Sequence, residues 1–395
     1  MSWQETSVME EKMKFIRAWQ SGEFTITALC DTFGISRTTG HKLINRFKKE
    51  GEECFNLQSK IPRSVPHKTP KVVEEAIVNL RKRHPNWGAR KFAILLQGEF
   101  KVEEIPSETT INNILSRNGL VKKRGRRPSR LEKLHPKYES KSCNEIWTAD
   151  YKGKFRLGNK KYCHPLTIQD KKSRYIIGCE GHYAETFENA KRAYIKAFRQ
   201  YGKPLYIHSD NGQPFGHVRS VKRYTRLSYW LIDHGILPLY SDTASPQQNG
   251  KHERMHRDLK AYCTRPPRHT LTKQQQLLDA FRKEYNDVRP HESLRMKTPS
   301  TVYEPSEREF RLGRIPDYEY DSNMKVHTVM KHGSIRYGAY HWLFVSRAAR
   351  GKKVGMEEVG NGIYNLYYRN VLLGYFDARK FERKEQYQHL SKPIV

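Results

Sequence analysis

Residues Glu145-Ile146-Trp147-Thr148-Ala149-Asp150-Tyr151-Lys152-Gly153-Lys154-Phe155-Arg156 decide how the middle of this chain folds. Their β-branched and aromatic members read as a strand, and the stretch carries one aspartate, Asp150. Strand-like runs at 161–169 and 174–181 follow, the first joined to 145–156 through Gly158-Asn159, a hairpin-type turn. A helix is expected over 186–201, with Ala190, Ala193, Tyr194 and Phe198 on its buried side. The strand Pro204–Ser209 then delivers a second acid, Asp210, in His208-Ser209-Asp210-Asn211-Gly212. A helix at 221–234 and a short strand at 236–240 lead to Ser245-Pro246, the entry to a helix that carries Glu253 in Gln248-Asn249-Gly250-Lys251-His252-Glu253-Arg254. A last helix covers 272–286.

Three antiparallel strands, a helix and a further strand begin a ribonuclease H-like α/β core, expected over 144–311. Acids at two strand ends and on a facing helix can converge and hold hard divalent cations through oxygen. Each acid alone is weak evidence, since surface carboxylates are commonplace; Asp170, in Gln169-Asp170-Lys171, reads as a turn residue between strands. The weight rests on all three motifs occurring in order. Two Mg²⁺ or Mn²⁺ ions held by Asp150, Asp210 and Glu253 would suit in-line attack on a phosphodiester. Arg257 and Lys260 lie four and seven residues after Glu253, on its face of the helix, where they can grip a DNA backbone. His252 and His256 read as DNA or packing contacts rather than ligands.

The charge balance agrees with a polyanionic partner. The chain has 395 residues, with 73 Lys and Arg against 42 Asp and Glu, a formal net charge of +31. A ribosomal or chromatin-packaging protein would be as basic, but would not need the acids. No apolar run is long enough to span a membrane, and a cytoplasmic, nucleoid-associated protein is expected. The six cysteines are scattered without zinc-module spacing, so neither structural zinc nor a disulfide is expected.

Ahead of the core, the pattern is helical. Residues 8–21 read as a helix, with Met9, Met13, Ile16 and Trp19 at helical spacing. A second runs from Thr25 or Thr27 to Phe33, and Gly34 makes the turn. Ser36 caps a third, Arg37–Glu50, buried through Gly40, Leu43, Ile44 and Phe47. This describes a helix-turn-helix domain over 1–58, whose third helix presents Arg37, Thr38, His41, Lys42 and Asn45 to base edges and phosphates. A Pro-rich linker at 59–70 separates it from a second, more degenerate helix-turn-helix at 71–121, with helices at roughly 71–83, 88–98 and 107–118. Thr110, Asn113 and Arg117 are its outward residues. The basic linker at 122–143 includes Arg124, Arg126 and Arg127; it can enter a narrow minor groove or merely follow phosphates. Beyond 320, alternation of period two returns at Met324–Met330, Ser334–Val345, Gly362–Tyr368 and Val371–Phe376, which predicts a small β-barrel over 322–385.

Taken together, these motifs resemble DDE transposases of bacterial insertion sequences, in the retroviral-integrase superfamily. The resemblance runs from Trp3-Gln-Glu-Thr-Ser and Phe33-Gly-Ile-Ser-Arg37 through Trp147–Asp150, Ser209-Asp-Asn-Gly-Gln-Pro-Phe215 and Pro246-Gln-Gln-Asn-Gly-Lys-His-Glu-Arg-Met-His-Arg257. It continues in Tyr285-Asn-x-x-Arg-Pro-His-Glu-x-Leu294, with Thr298-Pro299, and in a closing barrel. It implies Asp150, Asp210 and Glu253 as the catalytic triad, Lys260 as the basic residue two turns on, and the Tyr285–Leu294 motif as packing for the catalytic helix. It further implies binding of double-stranded DNA at transposon ends and target, and a homodimer or higher oligomer on DNA. A catalytically silent DNA-binding regulator and a nuclease that cuts without joining are the alternatives. One departure stands out: 42 residues separate Asp210 from Glu253, more than is usual in the superfamily. The excess falls around Gly216–Arg226 and reads as a loop insertion.

Overall fold

The computed structural model describes residues 7–56, 68–121, 138–217, 222–241, 250–313, 315–383 and 387–391. The chain divides into two units, Met1–Lys68 and Thr69–Val395.

In the first unit, α1 (Val8–Gln20), α2 (Ile26–Thr32) and α3 (Arg37–Glu50) each begin at a hydroxyl cap: Ser7, Thr25 and Ser36 accept from backbone N–H groups in the first turn. Gly34, at φ +61°, adopts the left-handed backbone that lets α2 turn into α3. Phe15, Ile16, Leu29, Cys30 and Ile44 form the core. Gly40 is needed there, since a Cβ would meet Cys30 Sγ at 2.5 Å. Met9, placed by its spacing on the buried side, is instead exposed, because the apolar face of α1 centres on Phe15 and Ile16.

The second unit opens with another helical trio, α4 (Lys71–Arg83), α5 (Ala89–Leu96) and α6 (Glu108–Arg117), the last capped by Ser107. Its core comprises Val73, Ile77, Trp87, Phe92, Leu96, Ile111, Ile114 and Leu115.

A six-stranded sheet follows, made of β1 (Ile146–Tyr151), β2 (Phe155–Arg156), β3 (Tyr162–Asp170), β4 (Ile176–His182), β5 (Tyr206–Ser209) and β6 (Leu237–Tyr240). β3 pairs antiparallel with β1, β2 and β4, while β1, β5 and β6 run parallel. Trp147, Ala149 and Tyr151 point to one face, where they pack with Ala190, Tyr194 and Phe198 of α7 (Phe187–Tyr201) and Leu227 and Leu231 of α8 (Arg226–Asp233). On the other face lie Met255, Leu259 and Cys263 of α9 (Gly250–Cys263) with Leu278 and Phe281 of α10 (Leu271–Lys283). Strand alternation therefore turns Thr148 and Asp150 toward the α9 side. α8 starts five residues later than its spacing predicts, because Thr225 caps it.

After the core come β7 (Lys325–Thr328), β8 (Ser334–Tyr337), β9 (His341–Phe344), β10 (Lys353–Gly360), β11 (Ile363–Tyr368), β12 (Val371–Asp377) and β13 (Tyr387–His389). The barrel expected here is corrected by the pairing. Among the described residues, β12-β11-β10-β7 form one sheet and β13-β9-β8 another, and neither closes on itself. Apolar residues of both, including Ile335, Leu343, Val354, Leu366 and Phe376, share one core. β10, absent from the sequence reading, pairs with both β7 and β11.

Candidate active site

Asp150 and Asp210 meet because of strand register. Ala149 pairs in parallel with Ser209, so the next residue of each strand emerges at the same sheet edge. Neighbouring strands lie about 4.8 Å apart. Burial and the like charge of Asp210 push the Asp150 carboxyl up to about 7, against the opposing pull of Lys152. Asp210 keeps solvent access and accepts from the Gly212 N–H at 3.1 Å, yet its packed surroundings still raise its carboxyl above the usual range.

Glu253 sits in the first turn of α9 and is exposed. Among the described residues, no group of three His, Cys, Asp or Glu side chains comes together as a metal cluster. The structure thus brings Asp150 and Asp210 together and does not gather Glu253 with them. The segment leading into α9, 242–249, lies outside the described residues.

What fixes α9 to the sheet is a polar hub. His252 is fully buried, with Nδ1 2.8 Å from Thr148 Oγ1 and Nε2 2.7 Å from Thr167 Oγ1. His256 Nε2 lies 2.6 Å from the same Thr167 oxygen, and the Thr167 hydroxyl also donates to the Asp150 carbonyl at 3.1 Å. His256 Nδ1 is 3.6 Å from the Asp150 carboxylate. Burial drives His252 down to about 3 and His256 lower still, so both rings are neutral at physiological pH. Both are packing groups of the site, as their flanking position predicts. Their partners lie 85 to 104 residues away, which sequence spacing does not reveal.

Sequence reasoning missed Glu185, just before the capping Thr186 of α7. Its negative charge bears on both aspartates, and His164 Nδ1 holds it at 2.8 Å. It also missed Arg223, which donates to Asn211 Oδ1 at 2.8 Å and to the Ser241 carbonyl at 2.9 Å, bracing the Asp210 loop. At the ends of the stretch read as an insertion, Gly216 bridges to Tyr224. Asp170, read as a turn residue, is fully buried and accepts from the Asn144 N–H and from the Ser173 N–H and hydroxyl.

Of the expected DNA contacts, Arg37, Thr38, His41, Lys42 and Asn45 are exposed on α3, and Arg257 and Lys260 are exposed on α9. Asn113 is exposed, Thr110 is engaged with the Ser107 cap at 3.0 Å, and Arg117 pairs with Glu74 at 3.1 Å. Arg124, Arg126 and Arg127 lie outside the described residues.

Two family models, each described as an integrase core domain, match residues 141–246 and 234–299. Two homeodomain-like domain models match residues 6–55 and 39–115. The chain is 22% identical over 268 residues to the 39.2 kDa protein of insertion element IS476 from Xanthomonas euvesicatoria, covering 66% of this chain and 68% of that protein. It is 30% identical over 185 residues to the ORF3 product of Spiroplasma virus SpV1-C74, named as an integrase, covering 43% of this chain and half of that protein. Similar solved structures include a simian T-cell lymphotropic virus intasome, at 14% identity and TM-score 0.38 over 75% of this chain and 97% of that one. The HTLV-2 integrase catalytic core in complex with magnesium aligns at 18% identity and TM-score 0.30, over 42% and 97%. The chain thus carries homeodomain-like helix-turn-helix domains ahead of an integrase core domain.

Proposed function

We propose that this protein is a transposase that binds the terminal inverted repeats of an insertion sequence and catalyses metal-dependent DNA cleavage and strand transfer. The observation that carries the reading is the pair Asp150 and Asp210, side by side at the ends of parallel strands with their carboxyls raised. Two crowded carboxylates, one of them largely withdrawn from water, are costly unless a cation shares them, and their oxygen donors suit Mg²⁺ or Mn²⁺. Asp150 and Asp210 would hold the ions, with Glu253 as the third carboxylate. When bound, such ions activate a water or 3′-hydroxyl and stabilise the leaving 3′-oxygen.

The remaining work falls to the chain itself. The His252–Thr148 and His256–Thr167 contacts hold the first two turns of α9 against β1, which bears Asp150, and its neighbour β3. Arg257 and Lys260, exposed further along α9, bind the phosphate backbone entering the site. The α3 face reads the terminal repeats, and two ends require at least two protomers.

A strand-transfer assay with labelled terminal-repeat DNA tests this, comparing wild type with Asp210→Asn in Mg²⁺ and in Mn²⁺. Joined products from wild type alone, with end binding retained by the variant, support the transposase. Cleavage without joining favours a nuclease. End binding without chemistry in either metal favours a DNA-binding regulator.

A further inference from the structure

The proposed chemistry leaves the motif Tyr285–Leu294 unused, yet its backbone is unusual. α10 runs on into a π-helical turn, Glu284–Val288, closed by the Arg289 N–H donating to the Glu284 carbonyl at 3.0 Å. Single turns of this kind recur at functional sites. Just beyond, Arg295 and Met296 both take the left-handed backbone, at φ +53° and +65°, a strained pair for residues with side chains. From this frame three side chains reach three neighbours. Asn286 accepts from the Ile176 N–H at 2.8 Å and donates to the Ile176 carbonyl at 3.0 Å, which ties the turn to β4. Arg289 meets Asp258 of α9 at 2.7 Å. Glu284 lies 3.0 Å from His84 of the second trio.

We infer that Arg289 is a positioning residue for the reaction: through Asp258 it sets the pose of α9, and with it Glu253, while the second helical trio holds Arg289 in place. The ion pair carries the argument. Its two side chains are only 12% and 15% exposed. A pair so withdrawn from water adds little net stability, because desolvation offsets its attraction, and apolar residues of similar volume often do as well. Its geometric worth is larger. Asp258 follows His256 by two residues, about 200° around the helix, so the histidines fix one side of α9 to the sheet and Asp258 fixes the far flank. Held on both sides, α9 neither rolls nor slides, and Glu253 stands about 7.5 Å along the axis from Asp258. The trio's share of the grip converges on Trp87, which is buried. His84 stacks on its ring at 4.0 Å, and Arg289 and Lys91 place their charges 6.0 and 5.6 Å from the ring centre. Asn86 and Trp87 line one small cavity with Asp258, Tyr262 and Arg289, so the trio and α9 meet directly.

This inference rests on the transposase reading, and a double-mutant cycle separates positioning from structural support alone. Full-length Asp258→Asn, Arg289→Gln and the double variant are compared with wild type for melting, end binding, strand transfer and hydrogen exchange along Gly250–Cys263. Each single change leaves one charge unpaired in a poorly hydrated place and should lower the melting temperature by several degrees. The double variant should recover most of that loss, since neither charge remains. Joining should not recover with it. All three variants should join roughly ten- to a hundredfold more slowly, with KM for DNA unchanged, as a displaced catalytic group predicts. Exchange should rise in α9 and stay as in wild type in β1. Joining that recovers together with stability in the double variant, or α9 amides that exchange as in wild type, would overturn the assignment. Exchange needs no catalysis. If wild type itself fails to join, the transposase reading falls, and the exchange result alone decides whether Arg289 holds α9.

Discussion

Two helical trios precede the integrase core, alike in pattern and unlike in what their surfaces do. In the first, α3 leaves Arg37, Thr38, His41, Lys42 and Asn45 exposed. The second spends much of its polar surface within its own unit. Arg117 pairs with Glu74, Arg90 with Glu108, and His84 Nδ1 lies 3.0 Å from Glu284 at the end of α10. Arg289, itself paired with Asp258 of α9 at 2.7 Å, places its guanidinium 6.0 Å from the Trp87 ring. An apolar periodicity thus specifies a three-helix core, while the contacts made by the polar face decide whether that face is free to read DNA.

The comparison can be broken by mutation. Trp87→Ala should cost about 3–5 kcal/mol and lower the melting of the integrase core together with the second trio. Phe15→Ala should cost a similar amount in the first trio alone. Calorimetry separates these outcomes, and a core transition unmoved by Trp87→Ala would mean that the second trio is as independent as the first.

Next in size, His41→Ala with Asn45→Ala should weaken binding to terminal-repeat DNA by roughly 1–3 kcal/mol, with a far smaller loss on unrelated DNA. Asn113→Ala should do much less. Equal effects of the two changes in a competition assay would place the trios on the same footing.

Lys91 sharpens the contrast through pH. Burial, then the charge of Arg289, lowers its ammonium to about 8. The folded state therefore binds fewer protons than the unfolded chain between about pH 8 and 10.5, and in that window this group adds stability as pH rises. At pH 7 its charge is a cost, so Lys91→Met should stabilise the second unit by about 1–2 kcal/mol and flatten the alkaline slope in a thermal-melt series. A steeper slope in the variant would contradict the assignment. The smallest effect is expected from Arg117→Ala, under about 1 kcal/mol, because its ion pair with Glu74 is largely exposed.

Much of this molecule was legible because its signals are local. Ser36 and Ser107 cap their helices, Gly34 turns the chain, and alternation along Trp147–Tyr151 sets which side chains face α9. The placing of Asp150 beside Asp210 also follows from strands of the right length ending in acids. Long-range partnerships were not legible. Thr167 meets His252 and His256 across 85 and 89 residues, and Glu185 joins the aspartates from the start of α7. The last strands were misjudged for a similar reason. Val354 and Met356 alternate with Lys353, Gly355 and Glu357, but the surrounding glycines hid β10, and pairing into two sheets depends on register that short strands do not encode.

One question goes to the centre of the account: which glutamate completes the site. Glu185 already bears on both aspartates, whereas Glu253 stands exposed at the start of α9. Metal-dependent strand transfer should be measured for Glu253→Gln and Glu185→Gln side by side, with end binding as the control. Glu253→Gln should abolish joining, while Glu185→Gln should retain it. Joining that survives Glu253→Gln and vanishes with Glu185→Gln would contradict that assignment and move the third carboxylate to the start of α7.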